Sequence, residues 1–115
     1  MIKKFLIPSG FLLGLTLTWA CAPLLPYPTG EGLLRVQAEQ PSLTLEDLEK
    51  GRRLYAATCA SCHTLHLPSD LTAKAWRKVI LRMQVKAKID DTRRDTILSY
   101  LLAMDTKEGK DARTP

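Results

Sequence analysis

The chain has 115 residues, enough for one small domain with extra segments at its ends, and carries 17 basic against 12 acidic residues for a formal net charge of +5. Without the first 20 residues, which hold Lys3 and Lys4 and no acid, that balance falls to +3. So mild an excess, with no groove-reading motif, argues against nucleic-acid binding and fits docking on acidic partners. Three cysteines form an odd set, so a disulfide framework is not expected.

Residues 1–20 read as an export signal, with Lys3 and Lys4 followed by an apolar run from Phe5 to Ala20. Pro8, Gly10 and Gly14 interrupt that run, and it falls short of the roughly 20 apolar residues of a membrane span. An uncleaved anchor is the competing reading. Leu17-Thr18-Trp19-Ala20-Cys21 resembles a bacterial lipobox, although Thr18 and Trp19 depart from its usual residues. The resemblance implies lipid on Cys21 and a protein held on a membrane in the bacterial periplasm. Ordinary cleavage after Ala20 is the alternative.

Residues 21–43 read as a proline-rich linker. Pro23, Pro26, Pro28 and Pro41 oppose helix, while Gly30 and Gly32 add freedom. Leu33, Leu34 and Val36 form a small apolar cluster within it, an arm that the sequence alone neither docks nor frees. The ordered domain is expected over residues 44–104, with a charged, mobile tail over 105–115.

Three helices are expected in that domain. The first runs from Thr44 to about Ala60, where Thr44 and Asp47 have capping-box spacing and Leu48, Gly51 and Tyr55 share a face. The second runs from Thr72 to about Lys86 with a stripe of Trp76, Val79, Ile80 and Met83. Lys74, Arg77, Lys78, Arg82, Lys86 and Lys88 populate its remaining faces. That charge is either a solvated face or a docking patch for an acidic partner. The third runs from Thr92 to Met104, with Thr92 and Asp95 as a second capping box and Ile97, Leu98, Leu101 and Leu102 as its buried stripe. No strand-like alternation of useful length appears, so the fold class is all-α. A domain of this size usually needs a cofactor, metal or disulfide to complete its core.

Cys59-Ala60-Ser61-Cys62-His63 is the c-type haem attachment pattern. Two thiols on one turn of chain reach two vinyl groups, and the adjacent imidazole faces the iron. A thioredoxin-like C-x-x-C would need a βαβ setting, which is not visible. A zinc site built from Cys59, Cys62, His63 and His66 would need awkwardly adjacent ligands. For the second axial position a methionine thioether is a common partner of histidine. His66 lies only three residues past His63, and Met104 ends the last helix beside the tail. Met83, 20 residues past His63, has the chain length to reach the far face, but its place in the apolar stripe equally suits an ordinary core methionine.

The run Gly51-x-x-x-Tyr55-x-x-x-Cys59-x-x-Cys62-His63 resembles the first helix and haem site of class I cytochromes c, and Ile97-Leu98-Ser99-Tyr100-Leu101 resembles their last helix. Trp76 to Met83 is similar to the methionine-bearing segment of short monohaem members. The resemblance spans about residues 44–104. It implies a small cytochrome c-like fold of three main helices around one covalently bound haem c. It further implies Gly51 and Tyr55 crossing against Leu98 and Leu101, with His63 and Met83 as the iron ligands. Pro68 comes early for the family's proline that neighbours the proximal imidazole, and no such role is given to it.

The expected function is single-electron transfer between periplasmic or membrane redox partners, with no catalytic set of its own, either as a shuttle or as the electron-accepting subunit of an oxidoreductase. A haem enzyme or ligand sensor with an open sixth iron position is the alternative. No substrate-activating cluster surrounds the motif, and the chain has only two histidines.

Overall fold

Four α-helices and one 3-10 turn make up residues 24–59 and 65–105, the part of the chain that this computed structural model describes. They are α1 (Gly30–Gln37), α2 (Leu45–Cys59), the 3-10 turn (Pro68–Asp70), α3 (Ala73–Ala87) and α4 (Asp91–Met104). No strand occurs among the described residues, so the all-α class expected from the sequence is the class found.

The start of α2 is the expected capping box. The Asp47 N–H donates to Thr44 Oγ1 at 3.2 Å, and the Thr44 N–H donates back to Asp47 Oδ2 at 2.9 Å. Helix α3 is capped by Thr72, whose hydroxyl oxygen accepts from the Ala75 N–H at 3.2 Å. Its C-cap, Lys88, takes the left-handed conformation at φ 54° and ψ 45°, the only non-glycine positive φ among the described residues. Helix α4 departs from expectation at its start. Asp90, not Thr92, is the cap, because its carboxylate reaches the Arg93 N–H at 2.8 Å while Asp95 turns to Arg94.

Helix α1 lies inside the segment read as a linker. Pro28 and Pro41 flank it and do not interrupt it. Thr29 caps it by accepting from the Gly32 N–H at 3.1 Å. What holds so short a helix is tertiary contact. A Cβ on Gly32 would lie 2.7 Å from the Ala103 carbonyl oxygen, so only glycine permits this approach of α1 to α4. The Arg35 guanidinium then donates to the Ala103 and Asp105 carbonyls at 3.0 and 2.9 Å. Leu25 and Val36 are buried, so the arm contributes to the core.

Helix α4 is central, packed by α1, α2, α3 and the 3-10 turn. Ile97, Tyr100, Leu101 and Ala103 are fully buried, whereas Leu98 and Leu102 of the expected stripe are half-buried. The predicted close crossing at Gly51 is present, with different partners. A Cβ there would collide with the Thr96 carbonyl oxygen and lie 2.8 Å from the Tyr100 Cβ. The crossing therefore seats Gly51 on Thr96 and Tyr100, the residues two positions before the expected Leu98 and one before the expected Leu101 along α4.

Candidate functional site

Helix α2 ends on Cys59, whose side chain is buried at 6% exposure. Tyr55 lies one turn earlier on the same face, and Trp76 and Ile80 reach the same core from α3. These residues, with Leu65, His66, Val79 and Met83, line an apolar cavity of about 150 Å³. Cys59 and Met83 thus converge on one cavity from two different helices.

The segment that follows the attachment motif is fastened across this cavity by two aromatic side chains. The Tyr55 hydroxyl donates to the His66 carbonyl at 2.7 Å, and the Trp76 indole N–H donates to the Pro68 carbonyl at 2.8 Å. The rings of Tyr55 and Trp76 meet edge to face, 6.0 Å apart and 86° between planes. Tyr55 also contacts Tyr100 at 6.5 Å. Burial, and then the neighbouring Cys59 thiol, push the Tyr55 phenol well above its ordinary range, so it stays a donor. Below them the Leu67 N–H donates to Asp70 Oδ2 at 2.7 Å, closing the 3-10 turn. Pro68 therefore has a definite place, as the acceptor for Trp76.

Of the residues expected to form the site, Cys59 and Met83 meet at the cavity. Cys62, His63 and Cys21 lie outside the described residues. Met104 does not line the cavity. Its Sδ lies 3.2 Å from where a Cβ on Gly32 would sit, at the α1–α4 contact. His66 is 68% exposed, with Nδ1 3.7 Å from Asp70 Oδ2 at the cavity rim. The hydrogen bonds of Tyr55 and Trp76 to backbone carbonyls escape sequence reasoning. Only the placement of Tyr55 one turn before Cys59 hints at its part.

The residues present suit a haem. The lining is almost wholly hydrocarbon and aromatic, its polar edge lies at His66, and its two sulfur atoms match a thioether attachment and a thioether ligand. No curated protein and no solved structure matches the chain. A family described as DHC, dihaem cytochrome c, matches it over residues 55–115, which takes in Tyr55, the whole attachment motif, α3 and α4. This supports the c-type cytochrome that the motif implies without singling out the short class I members. With just over half its length matched, the chain belongs to the dihaem cytochrome c family.

Proposed function

We propose that this protein is an exported c-type cytochrome that carries single electrons through one haem c. The observation that carries the reading is the convergence of Cys59 and Met83 on one apolar cavity beside a C-x-x-C-H motif. The family is named for two haems, but this chain has one such motif and three cysteines. A second doubly attached haem would need two more thiols, and only Cys21 remains.

When bound, haem c supplies a reversible one-electron couple. The chain's own residues do the rest. Cys59 and Cys62 would hold the group through thioethers, His63 and Met83 would ligate its iron, and Trp76, Val79 and Ile80 would keep water out of the cavity. Tyr55 and Trp76 hold residues 65–70 in place through their carbonyl bonds, which fixes the rim of the site. No general acid or base is needed for such a role. A soft thioether ligand from Met83 would favour the reduced state and raise the potential.

The apolar leader of residues 1–20 and the lipobox-like run that ends on Cys21 support a location in the bacterial periplasm, with acyl chains on Cys21 as the anchor. Its partners are redox proteins, which include an oxidoreductase that it would serve as electron acceptor. The test is expression in a periplasm with haem-ligation machinery. The haem stays with the polypeptide through denaturation and acid–organic extraction, and Cys59→Ala with Cys62→Ala abolishes that retention. Free extraction from the wild type would end the reading. Cyanide or carbon monoxide binding at once to the native protein would favour an open-iron sensor instead.

A further inference from the structure

Helix α3 has two faces of different chemistry. The inner face carries Trp76 and Ile80, both buried, and Val79 and Met83 on the cavity. The outer face carries Leu81 at 53% exposure and Val85 at 78%, one turn apart on the same side. Lys74, Lys78, Arg82, Lys86 and Lys88 surround that pair, all exposed. From Leu71 to Ile89 the sequence holds six cations and no acid. Only Arg77 of the six makes an ion pair among the described residues, with Glu39 at 3.1 Å. Asp91, beside the C-terminal end of α3, is engaged by Gln84 and Arg94.

We infer that the outer face of α3 is the docking surface for an acidic redox protein, a partner that presents carboxylates around a small apolar centre. This deepens the proposed electron-transfer function and rests on it. Charge complementarity chooses the occupant. Five cations with no ion pair among the described residues steer an acidic protein and speed its encounter, and the aliphatic pair gives a dry contact once it has arrived. A bilayer is the poorer match, because helices that lie in a lipid interface present a broad apolar face rich in large side chains. Here the outer face offers two aliphatic residues, and its aromatic, Trp76, points inward. The geometry suits the chemistry. A helix with its side chains is about 10 Å across, so a partner on the outer face is separated from the cavity by α3 alone.

The test uses the full haem-loaded chain and reduced plant-type ferredoxin, an acidic one-electron donor. One electron leaves the reduced iron–sulfur cluster, and the oxidised cytochrome gains it. Lys78→Glu with Arg82→Glu lowers the second-order rate at low salt by about tenfold or more, and the difference disappears at high salt. Lys50→Glu with Arg53→Glu changes the net charge equally but sits on α2, and it slows the reaction far less. Equal slowing by both pairs, or none by the α3 pair, overturns the surface while leaving the haem reading intact. Amide shift mapping with oxidised ferredoxin reads the surface without electron transfer, and the shifts centre on Leu81 and Val85. A chain that fails to bind haem would sink the proposed function, and this mapping would still decide the surface. Vesicles supply the remaining arm. If the α3 reversal weakens partition onto phosphatidylglycerol vesicles relative to phosphatidylcholine and leaves the ferredoxin rate unchanged, the face is a lipid surface and the inference falls.

Discussion

The Tyr100 hydroxyl donates a 2.7 Å hydrogen bond to the Pro26 carbonyl, joining the centre of α4 to residues 74 positions earlier in the chain. Burial raises the Tyr100 phenol far above its ordinary range, so the donor persists at any physiological pH. With buried Leu25 beside it and α1 beyond, this bond makes the arm part of the folded unit. Much of the segment read as a proline-rich linker is therefore docked on α4. From Cys21 to Leu25 the chain can span at most about 14 Å, so an acyl anchor on Cys21 would hold the domain close against the bilayer. Tyr100→Phe strands the Pro26 carbonyl and costs about 1–2 kcal/mol. Hydrogen exchange should show residues 24–37 losing protection first, ahead of α2 and α3. Uniform loss across all four helices would mean that the arm has no separate opening.

The glycines give a graded test of helix contact. Gly30→Ala meets nothing within 4 Å and should be neutral or mildly stabilising. Gly32→Ala forces the new methyl against the Ala103 carbonyl, and Gly51→Ala against the Thr96 carbonyl and Tyr100. Backbone obstacles cannot rotate aside, so each should cost about 1–3 kcal/mol as an overpacked contact. Denaturant melts of the three variants check the order. Gly51→Ala should be worst, because α2 and α4 form the larger packed pair.

Much of this was legible in the sequence, for identifiable reasons. The spans of α2 and α3 follow from apolar periodicity and from Thr44 and Thr72 as caps. The arm was not legible, because its prolines and glycines carry a linker's composition and its stability comes from Tyr100 and Ala103, far along the chain. Tyr100 and Ala103 were missed because α4 is buried on several sides and has no single stripe. At the site, Cys59 is declared by its motif and Met83 by its period and by resemblance. The Tyr55 and Trp76 bonds end on backbone carbonyls, which no residue type announces.

The Asp47 cap predicts an acid sensitivity. Hydrogen bonds from the Thr44 N–H and hydroxyl hold this carboxyl below its ordinary value, so the folded state favours the carboxylate. Its contribution is complete above the unfolded pKa of about 3.9 and is lost as pH falls through the lower folded value. Asp47→Asn should therefore cost about 0.5–1 kcal/mol near neutrality, a modest figure because the group is solvent-screened. Urea midpoints of wild type and variant should converge as the pH drops below that range. A gap that persists in acid would assign the loss to packing and not to charge.

Met83 and Met104 separate a ligand from a packing residue. Both are half-buried thioethers near the end of a helix, and composition does not distinguish them. Their surroundings do. Met83 shares the cavity with Cys59, Trp76 and Ile80, whereas Met104 sits at the close α1–α4 contact beside Gly32. Met83→Ala should lower the reduction potential, because a thioether ligand favours the reduced state, and should let cyanide or carbon monoxide bind quickly. It should also remove the weak sulfur-to-iron charge-transfer band of the oxidised protein. Met104→Ala should leave the potential, ligand binding and band nearly unchanged and should instead cost about 2 kcal/mol or more by opening a cavity under α1. The pair is decisive because the two readouts move in opposite variants. If Met104→Ala shifted the potential and removed the band, the axial sulfur would belong to α4, and the cavity beside Cys59 would be core packing alone.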